Sequence, residues 1–221
     1  MTIKALIFDM DGTLVDSERT HWLAWRQTLA ADGMDIPDYA EFKKYVGVSD
    51  EQMAQEFSAA ANPSLDPRNL VTRKCSTYLD LVPQIELLPG VVETLERWKG
   101  RFAMAVASSS PHRELIALLE HHGLRERFIQ VVGGDMVPKK KPAPDIYQMV
   151  VALLGLTPAA CVAFEDSQSG VSAAKSAGLT AVAVPHAMTL GHDFGNADVV
   201  IDSLADFDER LLHQLETLAR K

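Results

Sequence analysis

The stretch FDMDGTLVDS, Phe8 to Ser17, completes the apolar run Ala5-Leu6-Ile7-Phe8 and turns it into acid. A run that short, ending in carboxylates and Gly12, reads as a buried parallel strand emptying into a turn. Side chains alternate along an extended strand, so Asp9 and Asp11 point to one side and Met10 to the other. Two carboxylates sharing a side repel one another unless a positive group lies between them, and a hard divalent cation such as Mg²⁺ is the common resolution. A lone D-x-D is otherwise a polar loop with two solvated acids; the tight Gly-Thr turn behind a buried strand weighs against that reading.

The two acids divide into two chemical roles. With an unperturbed pKa of about 3.9, Asp9 is an anion at neutral pH and attacks phosphorus without needing a base. Asp11 would protonate the leaving oxygen and later deprotonate water, given a pKa raised by its neighbours. Gly12 would let the backbone turn so that the Asp11 carbonyl, rather than its carboxylate, faces the metal.

FDMDGTLVDS resembles the first motif of the haloacid dehalogenase superfamily, whose phosphatases and phosphomutases work through an aspartyl-phosphate. The dehalogenases of that superfamily lack the second aspartate, so Asp11 favours phosphoryl transfer. Three further stretches match in the expected order. AVASSSP, 105–111, is similar to the second motif and implies that Ser108 hydrogen-bonds the transferring phosphoryl group, with Ser109 beside it as a substrate contact. Read alone, Ser110-Pro111 is a helix start, Ser as N-cap and Pro in the first turn. KKKPAPD, 139–145, is a solvated basic loop by itself; the resemblance singles out Lys141 as the lysine that reaches nucleophile and phosphate, and leaves Lys139 and Lys140 as surface charge. AFEDSQSG, 163–170, follows the apolar run 161–164, and its Glu165 and Asp166 match the acidic pair of the fourth motif. Asp166 or Ser167 would also cap the helix that runs to Ala177 and stops at Gly178; capping and ligation are compatible.

The metal requirement follows from charge. Asp9, Asp11, Glu165, Asp166 and a phosphate dianion would converge on one small volume, opposed within the motifs by Lys141 alone. Oxygen ligands suit Mg²⁺, and there is no His or Cys cluster for zinc. With 221 residues, 47% of them hydrophobic, the chain can bury a full core as one domain with an insert or as two small ones. Its net charge of −9 argues against nucleic acid or an anionic membrane as main partner, and leaves a small phosphorylated metabolite. Cys75 and Cys161 lie far apart without a C-x-x-C, reading as reduced and structural, which fits the cytoplasm. The start carries no signal-peptide pattern and no run approaches a membrane span of about 20 residues. A monomer or weak homo-oligomer is expected.

Hydrophobic period sets the organisation. After the first strand, 16–83 has helical patterning with breaks near 33–37, 47–50 and 62–67, giving about four helices. From Leu88-Pro89-Gly90 onward, helices alternate with short apolar runs at 102–107, 129–132, 161–164, 180–184 and 198–201, which predicts βαβ units. The expected fold is α/β: a Rossmann-like parallel sheet from 1–15 and 84–221, with a helical cap, 16–83, inserted beside the active site. All four motifs fall at carboxyl ends of strands, where open α/β sheets gather their ligands.

The helical segment resembles the cap of the β-phosphoglucomutase-like branch. Glu18, His21 and Trp25 share one face of the first cap helix, and the resemblance makes Glu18 and His21 substrate-side residues, His21 coupling cap closure to the general acid. Equally, Trp22, Trp25 and Leu29 form the cap's own core stripe with His21 at its edge; for the tryptophans the core reading is preferred. The mutase holds a distal phosphate with basic residues around a loop resembling VGVSD, 46–50. This chain has Val46 and Asp50 where a lysine and an arginine are expected, and Lys43, Lys44 and Lys74 are the remaining cations to compensate. Hydrolysis of a small sugar phosphate or similar monoester is therefore expected, with a phosphosugar mutase as the alternative. A non-catalytic phosphate-binding protein is less consistent with a nucleophile set beside a general acid.

Overall fold

The computed structural model describes residues 2–35, 38–45, 48–61 and 65–218. The chain folds as two compact units, one formed by Met1–Asp16 with Leu87–Lys221 and the other by Ser17–Glu86.

In the first unit, six strands pair entirely in parallel: β1 (Ala5–Phe8), β4 (Ala103–Ser108), β5 (Gln130–Gly133), β6 (Cys161–Glu165), β7 (Thr180–Ala183) and β8 (Val199–Val200), in the order β5-β4-β1-β6-β7-β8. Two-residue strands β2 (Val15–Asp16) and β3 (Glu86–Leu87) pair separately where the chain leaves this unit and returns to it. The crossovers are helical: α5 (Val91–Trp98), α6 (His112–His121), α7 (Asp145–Leu154) and α8 (Gln168–Ser176), with α9 (Glu209–Leu218) closing the chain. Each apolar run read from the sequence is a strand to within two residues at either end.

The pleat sorts the strand residues onto two faces. Ala5, Ile7, Ala105, Ala107, Ala163, Ala181 and Ala183 share one core with Ile146, Tyr147 and Val150 of α7 and Val171 and Ala174 of α8. Alanines on that face leave room for two helices to lie close to the sheet. On the other face, Phe8 stacks on Phe164 at 4.9 Å, Phe164 meets Phe207 edge-on, and Phe207 packs on Trp98. A sheet covered on both sides needs apolar residues at nearly every strand position, hence continuous runs rather than alternation.

The second unit holds α1 (Glu18–Ala30), the short α2 (Tyr39–Phe42), α3 (Asp50–Ala61) and α4 (Pro67–Leu81). Asp66 caps α4 through its carboxylate and Pro67 opens the helix. Trp22, Trp25 and Leu29 form a core with Phe42, Tyr45, Met53, Phe57 and Leu70, which decides the tryptophans as packing residues. Among the described residues, no helix is long and apolar enough to cross a membrane.

Candidate active site

Register brings the motifs together. Phe8 is level with Val106 of β4 and Phe164 of β6, so Asp9 emerges level with Ala107 and Glu165 at the carboxyl ends of these strands, with Ser108 one residue further along β4. The Asp9 N–H donates to the Phe164 carbonyl at 3.0 Å, extending the pairing as far as the carboxylate. Beyond it the Met10 carbonyl accepts from the N–H groups of Leu14 and Val15, closing the turn around Gly12, whose φ of 76° favours glycine.

Lys141 reaches these strand ends from the loop before α7. Its ammonium donates to Asp9 Oδ1 at 2.6 Å, to the Ala107 carbonyl at 2.8 Å and to Glu165 Oε1 at 2.6 Å. Three N–H groups have three acceptors, so the charge is fixed in place as well as balanced. Glu165 Oε1 also accepts from the Tyr147 hydroxyl of α7. Glu165 Oε2 is buried with no hydrogen-bond partner among the described residues, against Gly170, where an added Cβ would lie 1.7 Å from it. Gly170 thus lets the carboxylate pass under the first turn of α8.

Asp9, Glu165 and Asp166 each offer a carboxylate oxygen within 4.8 Å of the other two, and all three are buried. Burial pushes the Asp9 carboxyl well above the usual carboxylate range; the Lys141 charge opposes the rise, while Glu165, Asp166 and Asp11 add to it. Glu165 is raised for the same reasons, burial first. Burial alone would lower Lys141, yet Asp9 and Glu165 hold it above the ordinary lysine range, so it stays charged. An Asp9 with its unperturbed pKa, as expected from sequence, is therefore not what the protein chain alone provides. Among the described residues, these three buried carboxylates face one ammonium, Lys141, and their hard oxygens fit a divalent cation such as Mg²⁺.

The Asp11 carboxylate is occupied differently. Its Oδ2 accepts from the Ser110 hydroxyl at 2.6 Å and the Ser108 hydroxyl at 3.3 Å, and Ser108 Oγ accepts from the Ser110 N–H. This corrects the expected helix start. The N-cap of α6 is Pro111 rather than Ser110, because the Ser110 hydroxyl is drawn to the Asp11 carboxylate, and Asp135 instead accepts from the His112 N–H at 2.8 Å. Ser109 is half-buried beside this pair. Ser167 caps α8 by accepting from the Gly170 N–H, leaving the Asp166 carboxylate for other contacts.

Two residues escaped sequence reasoning. Tyr147 carried no signal, sitting on the apolar face of α7. His186, in the loop after β7, lies with Nε2 3.0 Å from Asp166 Oδ2; a polar residue just past the carboxyl end of a strand beside β6 was the available clue.

Glu18 and His21 lie in the helical unit. Glu18 opens α1, half-buried, while the His21 ring stacks on Tyr78 at 4.4 Å with Nδ1 2.9 Å from Lys74 Nζ. Lys74 is fully buried and donates to Asp50 Oδ2 at 2.8 Å; Asp50 Oδ1 accepts from the Trp25 indole at 3.0 Å. Burial would raise the Asp50 carboxyl, but the Lys74 charge, helped by His21, holds it below its ordinary value. Val46 lies outside the described residues, as does the Lys43 side chain. Cys75 and Cys161 are both buried.

A parallel α/β sheet presenting acids, hydroxyls and a buried lysine at the carboxyl ends of its central strands defines a class of phosphate-handling hydrolases. Residues 6–184 match the haloacid dehalogenase-like hydrolase family, and the chain belongs to it. It is an enzyme of the phosphatase kind within that family. The fructose-1-phosphate phosphatase YqaB of Escherichia coli is 39% identical over 180 residues, covering 81% of this chain and 95% of that protein. The beta-phosphoglucomutase of Bacillus subtilis is 33% identical over 222 residues, 96% of this chain and 95% of its own. The crystal structure of CbbY from Rhodobacter sphaeroides with phosphate superposes with a TM-score of 0.87 at 32% identity, covering 93% of this chain and 96% of that one. A mutant of the same protein holding xylulose-(1,5)bisphosphate gives 0.86 at 31%.

Proposed function

We propose that this protein is a Mg²⁺-dependent phosphatase that hydrolyses a small phosphomonoester, a sugar phosphate or similar, through an aspartyl-phosphate on Asp9. The observation that carries the reading is the buried Lys141–Asp9 pair at 2.6 Å with Glu165 and Asp166 alongside, and Asp11 held apart from them by two serine hydroxyls. Asp9, Glu165, Asp166 and the Asp11 backbone carbonyl would hold the ion, which neutralises the carboxylates and polarises the phosphoryl oxygens.

The rest is done by the chain. An Asp9 oxygen forms a bond to phosphorus as the bond from phosphorus to the substrate oxygen breaks. Asp11 gives its proton to that leaving oxygen; Ser110, at 2.6 Å, holds the carboxyl for the transfer, while the longer Ser108 contact gives way so that its hydroxyl turns to the phosphoryl group. Lys141 offsets the charge on the transferring group, with Ser108 and Ser109 as its hydroxyl partners. Asp11, now a carboxylate, takes a proton from water, whose oxygen attacks phosphorus and releases phosphate and the Asp9 carboxylate.

Hydrolysis is favoured over mutation by the helical unit. A mutase must retain a second phosphate while its intermediate turns over, and Lys74, one of the three lysines left to compensate, is already bound by Asp50 and His21. Glu18 and His21 are the proposed substrate-side residues of this unit. A panel containing fructose 1-phosphate, hexitol phosphates, xylulose 1,5-bisphosphate and β-glucose 1-phosphate tests the proposal. Mg²⁺-dependent release of phosphate is expected, and lost in Asp9→Asn; isomerisation of β-glucose 1-phosphate to the 6-phosphate without phosphate release would instead establish the mutase.

A further inference from the structure

We propose that His186 is a positioning residue for Asp166, holding one carboxylate oxygen so that the other is aimed at the cation site. The inference rests on reading Asp9, Glu165 and Asp166 as cation ligands. His186 lies three residues beyond the end of β7, and the Val184 N–H donates to the Glu165 carbonyl at 2.7 Å, so the sheet pairing carries the chain to within two residues of the histidine.

The ring's protonation follows from its partners. The Met188 backbone N–H donates to Nδ1 at 3.4 Å, which leaves the proton on Nε2, and Nε2–H donates to Asp166 Oδ2 at 3.0 Å. A tight turn fixes the ring. The His186 N–H donates to Thr189 Oγ1 at 3.1 Å, the Thr189 N–H donates back to the His186 carbonyl at 2.9 Å, and Thr189 is fully buried. On the far side the pair is packed on the Asp9–Asp11 turn: a Cβ added to Gly12 would stand 2.5 Å from His186 Nε2 and 2.6 Å from Asp166 Oδ2. A carboxylate with one oxygen held by an N–H has lost rotation about its last torsion. Outer partners of this kind orient a metal ligand, and their loss typically costs about 10–100-fold in metal affinity.

The test is Mn²⁺ binding to the metal-free protein, read as free Mn²⁺ by electron paramagnetic resonance without turnover. Gln at position 186 keeps a donor near the Nε2 position, whereas Ala and Leu remove it. His186→Ala is expected to raise the Mn²⁺ dissociation constant about 10–100-fold and His186→Gln to recover most of it, with thermal midpoints close to the parent. Should the Ala variant not fold, His186→Leu, which refills the volume, carries the same comparison with Gln. Parent-like Mn²⁺ affinity in Ala or Leu overturns the proposal, and so does equal weakening in Gln, which would assign the effect to packing. A parent protein that binds no Mn²⁺ would instead remove the cation reading on which this one stands.

Discussion

Lys141 concentrates the electrostatics of the site in one side chain. Its ammonium is the common partner of two buried carboxylates, so Lys141→Ala removes the counter-charge of both and leaves Glu165 the Tyr147 hydroxyl. In metal-free protein at neutral pH the substitution should cost about 3–5 kcal/mol of unfolding free energy, measured by urea titration, the range for breaking a buried pair. The loss should shrink in acid, where Asp9 and Glu165 protonate readily; a pH-independent cost near zero would return Lys141 to surface charge. Asp11→Asn should slow turnover about 10²–10⁴-fold, the usual contribution of a general acid–base group, while Mg²⁺ binding persists. At this scale the sequence reading was limited by contacts across the fold. FDMDGTLVDS, KKKPAPD and EDS carried Asp9, Asp11, Lys141, Glu165 and Asp166 because each motif is local. Ser110 was read as a cap because a Ser-Pro pair is a local signal, and the carboxylate that claims its hydroxyl lies 99 residues away. Tyr147 and His186 matter only through partners that no local pattern reveals.

Among the elements, the helical unit makes the sharper prediction. Asp50 on α3, Lys74 on α4 and Trp25 on α1 tie three helices through one half-buried carboxylate. Its pKa is lowered on folding, so the folded unit binds fewer protons there than the unfolded chain. The stabilisation is complete above the unfolded carboxylate pKa and drains away as pH falls through the lowered folded value. Acid melting of α1, α3 and α4, followed by amide hydrogen exchange, should therefore set in below the ordinary aspartate range, and Asp50→Asn should abolish that pH dependence while lowering stability at neutral pH. An Asp50→Asn protein with the parent's acid profile would show that the carboxylate does not hold these helices. Strands were legible because a doubly covered parallel sheet demands short, unbroken apolar runs. The Asp50–Lys74 pair was not, since 24 residues of helix and loop separate its members.

For the whole molecule, the proposed cation would offset the imbalance of buried charge and so belong to the folded state. Mg²⁺ that binds the native protein and not the unfolded chain should stabilise it by about 2.7 kcal/mol at one hundred times its dissociation constant. The thermal midpoint should rise with Mg²⁺ concentration, less so in Asp166→Asn, and a midpoint insensitive to Mg²⁺ would deny the site its ion. The central claim concerns the oxygen at position 9, and chemical trapping addresses it directly. Asp11→Asn protein is mixed with Mg²⁺ and p-nitrophenyl phosphate, whose leaving oxygen needs no proton, so that the intermediate forms but breaks down slowly, then reduced with borohydride and digested. An acyl phosphate at Asp9 is reduced to homoserine, so the peptide spanning FDMDGTLVDS should carry homoserine at position 9. Intact aspartate there, with Asp9→Asn protein still turning over, would contradict the account.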